Sequence, residues 1–326
     1  MKVLVTDYDF KNLDLELKLF QEAGVEVATA QCVTEDDVIA ASADCQALLV
    51  QYAKVGAKVF TARPDISIVS RFGAGFDTVD TVAAEQAGVW VSNSPDYGVG
   101  EVATHALAMT LALLRHIAFY DRDVKAGNWH YTSAGCMRRI GDMTLGIVGL
   151  GRIGKRMAYI GRNSFRRVVA CDPYIIDGDF PAYVERVDMD RLFGESDAIS
   201  LHVPLSPETR GMVNAKYLNL MKPGAVLVNT ARGAIVNLED LCLALNANRL
   251  DGVALDVLPE EPPKEGHMLL KHPRVLLTPH AAFYSVEAER ELRCKAAQNV
   301  VDWMVRGRPT YVVVQGSPAR SPQHSA

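Results

Sequence analysis

The sequence predicts an α/β protein with two domains, each built on a doubly wound parallel β-sheet. Three observations support this fold class. Short strand-type runs alternate with helix-type stretches along residues 2–98 and again along residues 144–278, and such alternation is typical of parallel sheets covered by helices on both faces. A glycine-rich turn stands near the start of the second series. The chain of 326 residues is also long enough for two ordinary domains.

The first domain is predicted as five strands with helices between them. The strands are Lys2–Thr6, Val25–Ala30, Ala47–Gln51, Ile66–Arg71 and Val89–Ser92. The helices are Leu13–Ala23, Asp36–Ala41 and Val79–Ala87. A single long helix, Glu101–Lys125, follows with apolar residues at helical spacing and ends before Gly127, a suitable C-terminal cap. Such a helix can connect two domains.

The second domain is predicted to begin at Thr144 with a strand, a glycine turn, a helix, a second strand and an acid. The turn reads Gly149-Leu150-Gly151-Arg152-Ile153-Gly154, and the second strand ends at Asp172. This order is the one that a dinucleotide site needs. Gly149 allows the tight turn, Gly151 lets the backbone approach a pyrophosphate, and Gly154 lets the helix lie close to the strand. The phosphates then meet free N–H groups at the helix N-terminus.

Asp172 indicates which dinucleotide is bound. It lies 18 residues beyond Gly154, where a carboxylate can accept hydrogen bonds from the adenosine ribose hydroxyls. The same carboxylate repels a 2′-phosphate, so the sequence favours NAD over NADP.

The rest of the chain continues the alternation. The predicted strands are Ala198–Val203, Ala225–Asn229, Val253–Val257 and Val275–Thr278, and the predicted helices are Asn214–Met221, Leu238–Asn248 and Ser285–Val305. A last strand at Tyr311–Val314 is expected to rejoin the first domain. The domains are therefore expected to be residues 1–98 plus 283–314 and residues 99–282, with a disordered tail at residues 315–326.

Composition excludes several classes of protein. A hydrophobic fraction of 49% and a charged fraction of 22% are typical of a soluble globular protein. The net charge of −5 argues against a nucleic-acid or anionic-membrane surface. The apolar start is too short for a signal peptide, and Val102–Leu114 fits a buried helix better than a membrane span. Six cysteines without a CxxC pair indicate reduced core thiols in a cytoplasm, and eight histidines without HxxxH spacing predict no metal site.

Three later motifs place chemically active side chains at strand ends. Arg232 follows one strand, Asp256 lies at the end of the next with Glu261 after it, and His280 follows the third. An arginine can hold a substrate carboxylate and ketone, a histidine can donate a proton near neutral pH, and a carboxylate can orient the imidazole and favour its charged form. Taken singly, Arg232 can be a turn cap, Glu261 a solvated acid and His280 a core histidine. Their joint arrangement favours a site for hydride transfer to a 2-oxo acid.

These motifs resemble the D-isomer-specific 2-hydroxyacid dehydrogenase family over residues 2–314. The glycine turn stands where that family holds its pyrophosphate. The resemblance implies that Arg232 clamps the substrate, that Glu261 is the catalytic glutamate, and that His280 is the acid–base histidine. It assigns the cofactor site to Gly149, Gly151, Arg152, Ile153, Gly154, Asp172, His202, Val203, Pro204, Thr209, Thr230, Ala231, Arg232, Asp256 and His280.

The resemblance also implies an arrangement of domains. In the family, a Rossmann cofactor domain is inserted into a flavodoxin-like substrate domain, with the active site in the cleft between them. The stretch Arg71–Asp77 resembles the loop whose backbone N–H groups hold the substrate carboxylate, which assigns Ala74 and Gly75 to this role. A homodimer through the cofactor domains is expected.

The function expected from the sequence is an NAD-dependent reductase of a small 2-oxo acid. Glyoxylate, hydroxypyruvate and a phosphorylated hydroxy acid all remain open, and Gln51 and Tyr52 are candidates for contact with the distal end of the substrate. The alternative is an NAD-sensing binding protein with vestigial catalysis. The run His280–Ser285 resembles that of the C-terminal-binding-protein corepressors, although Phe283 stands near where that branch has a tryptophan.

Overall fold

The computed structural model describes residues 1–317 and divides the chain into two compact units. Unit 1 combines Met1–Gly98 with residues 285–317 of the described chain, and unit 2 is Val99–Tyr284. Most of the tail predicted for residues 315–326 lies outside the described residues. The part that is described is attached to unit 1, because the Ser317 N–H donates to the Gly88 carbonyl at 2.9 Å.

The described chain contains strands and helices in alternation. The strands are β1 (Lys2–Val5), β2 (Glu26–Thr29), β3 (Ala47–Val50), β4 (Ile68–Arg71), β5 (Trp90–Ser92), β6 (Thr144–Val148), β7 (Arg167–Cys171), β8 (Glu185–Arg186), β9 (Ala198–Leu201), β10 (Ala225–Asn229), β11 (Leu250–Leu255), β12 (Val275–Leu277) and β13 (Val312–Val314). The helices are α1 (Asp14–Glu22), α2 (Glu35–Ala41), α3 (Ala57–Ala62), α4 (Thr81–Ala87), α5 (Val99–Leu114), α6 (Ile117–Lys125), α7 (Arg152–Gly161), α8 (Met189–Glu195), α9 (Ala215–Leu220), α10 (Leu238–Asn246) and α11 (Val286–Arg306).

Unit 1 is built on a six-stranded sheet in the order β13-β5-β4-β3-β1-β2. Strands β1 to β5 are parallel, and β13 pairs antiparallel with β5. The antiparallel edge differs from the wholly parallel sheet that was predicted. Because β13 follows α11 rather than a crossover from β5, no βαβ connection imposes its direction.

Unit 2 is built on a seven-stranded parallel sheet in the order β12-β11-β10-β9-β6-β7-β8. One apolar core lies around α8, α9 and α10, and the other around α5 and α7. The two parallel-sheet units confirm the predicted fold class. The strand order reverses between β6 and β9, and ligands of open α/β sheets bind outside the carboxyl ends of the strands at such a point.

The predicted helix Glu101–Lys125 is wrong, because the chain breaks into α5 and α6 with a bend of 57°. The break lies at His116, whose φ of +51° is left-handed and whose Nε2 lies 3.4 Å from Asp251 Oδ2. The residues of α5 include a buried apolar set, whereas α6 buries no residue. The bend therefore takes α6 out of the core, although the apolar pattern runs on through it.

Several shorter elements were not predicted from the sequence, namely α3, α8 and β8. Each is at most seven residues long, which is too short for a clear apolar period. The prediction of core thiols also fails at Cys136, which is exposed. Within residues 1–317 no single helix has the length and apolar character to cross a membrane, and only the bent pair α5–α6 meets those two criteria when taken together.

Candidate active site

The glycine turn after β6 is closed so tightly that side chains do not fit at two positions. Gly149 has a φ of +87°, and a Cβ there would lie 2.7 Å from the His202 carbonyl oxygen. A Cβ on Gly154 would lie 2.0 Å from the Gly149 carbonyl oxygen. Glycine is therefore required both for the backbone conformation and for the contact between the turn and the first turn of α7.

The N-terminus of α7 is open to a ligand. Gly151 is its N-cap and has no side chain with which to satisfy the first N–H groups, which belong to residues such as Arg152 and Ile153. A Cβ built on Gly151 meets nothing within 4 Å. Unpaired N–H groups with open space before them suit a pyrophosphate, which the positive end of the helix dipole also attracts.

Asp172 is fixed at the end of β7 by backbone contacts. Its Oδ2 accepts the Leu150 N–H at 2.8 Å, and its Oδ1 accepts the Tyr174 N–H at 2.9 Å. The carboxylate thereby holds the glycine turn from the neighbouring strand. Each oxygen keeps a further lone pair with which to accept a ribose hydroxyl.

The chain after β9 passes beside the glycine turn. A Cβ added to Gly149 would lie only 2.7 Å from the Val203 side chain, so this chain and the turn are in close contact. The Thr209 hydroxyl donates to the Pro204 carbonyl at 2.6 Å, which closes the following turn. His202 Nε2 lies 2.9 Å from Ser200 Oγ, and burial lowers the pKa of His202 to about 4, so this ring is neutral at neutral pH.

The loop after β10 presents Thr230, Ala231 and Arg232. Buried Asn229 holds it, accepting the Ala231 N–H at 3.0 Å and donating to the Arg232 carbonyl at 2.9 Å. A Cβ on Gly233 would lie 2.0 Å from the Leu258 carbonyl carbon. This loop therefore lies directly against the loop that follows β11 and carries Glu261.

Glu261 and His280 form a hydrogen-bonded pair. His280 Nδ1 lies 2.7 Å from Glu261 Oε2, and Glu261 Oε1 accepts the Leu258 N–H at 2.8 Å. Burial raises the pKa of Glu261, but His280, the Leu258 N–H and the charge of Arg232 outweigh it, and the net pKa is lowered. The carboxylate is therefore ionised at neutral pH. Since Nδ1 is occupied, Nε2 of His280 is the nitrogen left for a substrate.

His280 stands on a turn that wraps around the Asp256 carboxylate. Asp256 Oδ1 accepts the Ala281 N–H at 2.8 Å, and Oδ2 accepts the Ala282 N–H at 3.0 Å. The His280 N–H donates to the Asp256 backbone carbonyl at 2.8 Å. His280 has a φ of +54°, which non-glycine residues adopt only when their surroundings hold them there. These contacts supply that support.

The residues along this sheet edge fit a dinucleotide. The Thr230 hydroxyl is buried and has no hydrogen-bond partner among residues 1–317, so it can bond to a polar group of a cofactor. With the open N-terminus of α7 and the acid at Asp172, the edge offers donors for phosphates and acceptors for ribose. In the described part of the chain no group of three or more His, Cys, Asp or Glu side chains is placed to hold a metal ion.

The loop assigned to the substrate carboxylate lies in unit 1. Asn93 Nδ2 donates to the Ala74 carbonyl at 2.7 Å, and the Ser94 N–H donates to the Gly73 carbonyl at 2.9 Å. These contacts fix the backbone of the loop, while Ala74 and Gly75 remain partly exposed.

The structure brings the predicted residues of unit 2 together at one sheet edge and adds residues that the sequence did not indicate. Thr278 donates its hydroxyl to Asp256 Oδ1 at 2.5 Å, and His105 Nε2 lies 3.0 Å from the same hydroxyl. Thr278 ends the strand predicted at Val275–Thr278 and precedes the Pro279-His280 pair, but its type alone does not mark it as a site residue. His105 stands in an apolar helix, where no sequence signal separates it from a core histidine.

Comparison with known proteins places this site in a family. The model of the "D-isomer specific 2-hydroxyacid dehydrogenase, NAD binding domain" matches residues 107–282. The chain is 35% identical to a D-3-phosphoglycerate dehydrogenase of Synechocystis, over 98% of this chain but 55% of that protein. It therefore spans about half the length of that relative.

Other relatives match along nearly their whole length. A hydroxypyruvate reductase of Blautia hydrogenotrophica is 30% identical over 96% of this chain and 99% of that protein. The solved D-lactate dehydrogenase of Aquifex aeolicus, complexed with NAD and lactic acid, superposes with a TM-score of 0.85 at 27% identity, over 97% of this chain and all of that one.

The position of Asp172 generates a prediction about cofactor choice. Asp172→Ala removes the ribose acceptor and the anchor of the Leu150 N–H, so we expect NADH affinity to fall ten- to a hundred-fold, about 1.5–3 kcal/mol. NADPH should lose less, because repulsion of its 2′-phosphate is relieved. Fluorescence titration with both cofactors measures the two constants. Asp188→Ala, which removes the acid that caps α8, is the control. Unchanged constants for Asp172→Ala contradict the assignment.

Proposed function

The chain belongs to the D-isomer-specific 2-hydroxyacid dehydrogenase family, which confirms the resemblance seen in the sequence, and we propose from this that it reduces a small 2-oxo acid with NADH. The family's NAD-binding domain covers the residues that form the glycine turn and the Glu261–His280 pair. The single observation that carries the proposal is that pair. An ionised glutamate 2.7 Å from Nδ1 of His280 orients the ring and leaves Nε2 as the nitrogen that can transfer a proton to a substrate.

Each side chain of the proposed site has one task. Bound NADH supplies the hydride that reduces the carbonyl carbon. Arg232 holds the substrate carboxylate with its planar guanidinium and polarises the ketone oxygen. His280 transfers the proton on Nε2 to that oxygen as the alkoxide forms. Glu261 accepts the hydrogen bond from Nδ1 and stabilises the charged ring before the transfer. The product is the 2-hydroxy acid.

The reacting histidine generates a prediction of pH dependence. Glu261→Gln keeps the hydrogen-bonding shape but removes the charge that favours the protonated imidazole. The alkaline limb of kcat/KM for reduction should therefore move to lower pH, by about one unit if the pair loses about 1.4 kcal/mol. Steady-state rates measured from about pH 5 to 10 locate this limb, because that range includes the ordinary titration of histidine.

Glu260→Gln is the matched control for this experiment. Glu260 is the adjacent glutamate, and its Oε2 lies 3.2 Å from Lys264 Nζ, so its charge is already compensated. We expect its alkaline limb to match the wild type. If the alkaline limb of kcat/KM is at the wild-type pH in both variants, a group other than Glu261 favours the protonated form of His280.

A group of polar side chains in unit 1 supports an unphosphorylated substrate. The order of that sheet reverses between β1 and β3, and Asp7, Gln51 and Tyr52 follow these two strands. The carboxyl ends at such a reversal are where open α/β sheets bind ligands. The Phe72 N–H donates to the Val50 carbonyl at 2.8 Å, so the chain before Tyr52 is paired with the loop that carries Ala74.

The acids of this group, Asp7 and Asp9, carry negative charge, and Arg71 is a cation close enough to Tyr52 to act on its pKa. Asp7 accepts the Tyr52 N–H at 2.5 Å and the Gln51 N–H at 3.2 Å. Asp9 accepts the Tyr52 hydroxyl at 3.2 Å. Burial, followed by the charge of Asp9, raises the pKa of Tyr52 to about 12, so Tyr52 stays neutral. A substrate phosphate beside Tyr52 would be repelled by the Asp9 carboxylate, whereas an uncharged hydroxyl or hydrogen at that position would not.

This arrangement predicts which 2-oxo acids are reduced with the higher kcat/KM. We expect NADH-dependent reduction of hydroxypyruvate and glyoxylate, and kcat/KM for 3-phosphohydroxypyruvate at least about tenfold lower. Asp9→Asn should reduce the difference in kcat/KM between hydroxypyruvate and 3-phosphohydroxypyruvate. Asp44→Asn should leave this difference unchanged, because it removes a charge before β3, at the opposite edge of the sheet. A wild-type preference for the phosphorylated acid contradicts the substrate proposal. Tight NADH binding without reduction of any 2-oxo acid contradicts the proposed function itself.

We further propose that the protein is a homodimer formed through unit 2. Large apolar side chains are exposed on α6 and the segment after it: Trp129 (87%), Tyr131 (82%), Ile117 (57%) and Val124 (42%). A pocket of about 290 Å³ lies beside them, lined by Leu113, Phe119, Ala134, Pro273 and Leu276 among others. Aromatic side chains left in water beside an apolar pocket are typical of an interface, and a symmetric dimer would cover both on each copy.

The dimer proposal is tested by the mass in solution. Trp129→Ala removes the most exposed of these side chains and should raise the dimer dissociation constant by at least about tenfold, since interface tryptophans often contribute more than 1.4 kcal/mol. Sedimentation equilibrium measures the constant. Tyr174→Ala, an equally exposed aromatic (88%) of unit 2 away from α6 in sequence, is the control. A wild-type monomer, or a Trp129→Ala dimer of unchanged affinity, contradicts the proposal.

A further inference from the structure

His105 makes a contact with the active-site turn that the proposed reaction does not yet use. It lies on α5, and its Nε2 is 3.0 Å from the Thr278 hydroxyl, 173 residues away in the chain. The same nitrogen is 3.8 Å from Asp256 Oδ1. Its side chain is 27% exposed. The ring therefore stands behind the turn that carries His280.

The direction of the hydrogen bonds follows from the number of protons. A carboxylate can only accept, so the single hydroxyl proton of Thr278 goes to Asp256 Oδ1, 2.5 Å away. The contact between Thr278 and His105 then requires a proton on the ring, and Nε2 of His105 is the donor. The bonds form one directed series from His105 to Thr278 to Asp256.

Asp256 is the point where this series reaches His280. Its two carboxylate oxygens also accept the N–H groups of Ala281 and Ala282, the two residues after His280. Donation from His105 polarises the Thr278 hydroxyl and strengthens its bond to the carboxylate. The orientation of the carboxylate then sets the turn that holds His280 at a φ of +54°.

We propose that His105 is a positioning residue for the acid–base histidine, acting through Thr278 and Asp256. By fixing the turn, His105 maintains the hydrogen bond between His280 Nδ1 and Glu261. The proton on Nε2 then stays directed toward the substrate oxygen. The inference rests on the proposed reductase function. It differs from a packing role, because a ring that only filled space would be replaced by any side chain of similar size.

Two substitutions at His105 separate these roles. His105→Leu fills much of the same space but has no donor, whereas the side-chain amide of His105→Gln can still donate to Thr278. We expect His105→Leu to lower kcat for reduction about tenfold, the usual effect of one lost hydrogen bond, with a change in KM below about threefold. The alkaline limb of kcat/KM for His105→Leu should move to lower pH, because the hydrogen bond between His280 and Glu261 is broken for part of the time. His105→Gln should restore kcat and the limb to near wild type.

Variants at Thr110 and Thr278 control the experiment. Thr110→Val removes a buried hydroxyl from the same helix, one that donates to the Ala106 carbonyl and not to the turn, and should leave both readouts unchanged. Thr278→Val should reproduce His105→Leu, and the double variant should add little to Thr278→Val. If His105→Leu fails to fold, a comparison of Thr278→Val with Thr278→Ser tests the same hydrogen bonds, because serine keeps the hydroxyl and valine does not.

A readout without turnover separates this inference from the proposed function. The ring-proton NMR signals of the histidines, with His280 identified by its loss in His280→Gln, give the titration midpoint of His280 in each variant. A midpoint that moves to lower pH in His105→Leu and returns in His105→Gln supports the positioning role even if no 2-oxo acid is reduced. An unmoved midpoint and limb in His105→Leu, or equal losses in His105→Leu and His105→Gln, overturn it.

Discussion

The constraint on which the active site depends is that every strand of the seven-stranded sheet runs in the same direction. Parallel strands bring all their carboxyl ends to one edge, so the loops after β6, β7, β9, β10, β11 and β12 leave the sheet side by side. The glycine turn, Asp172, Arg232 and His280 are distant in sequence and lie along one edge for this reason. The glycine positions then set how closely the loops approach. Gly149 lets the first loop touch the chain after β9, and Gly233 lets the arginine loop touch the loop of Glu261.

A buried carboxylate gives the same edge its rigidity. Asp256 is only 2% exposed, and an unpaired charge at such a position would be strongly destabilising. Its oxygens accept one hydroxyl and two backbone N–H groups, and hydrogen bonds to a charged group contribute about 1.5–3 kcal/mol each. Left-handed backbone at a non-glycine residue costs about 1–3 kcal/mol. The carboxylate therefore outweighs the strain at His280, and the turn holds a conformation that His280 alone would not favour.

Much of this could be predicted from the sequence because the strong signals are local. The strand–turn–helix–strand–acid order is continuous from Thr144 to Asp172, each motif at the three strand ends is read within a few residues, and the fold class follows from the alternation. The failures have non-local causes. The break at His116 contains neither proline nor glycine, and it depends on a left-handed residue paired with Asp251 from another part of the chain. The contact of His105 with Thr278 joins α5 to the end of β12, and a histidine in an apolar helix carries no sign of it.

Two histidines at this edge show how surroundings divide chemical roles. His202 and His280 both follow strands of one sheet, and either type of ring can act as an acid. Burial lowers the pKa of His202 to about 4, so at neutral pH it has no proton to give beyond the one that neutral imidazole holds tightly. His280 instead faces an ionised glutamate on one nitrogen, and its side chain is partly exposed. Of these two rings, His280 is therefore the one whose surroundings suit proton transfer, whereas His202 stays neutral and contributes its contact with Ser200 to the same sheet edge.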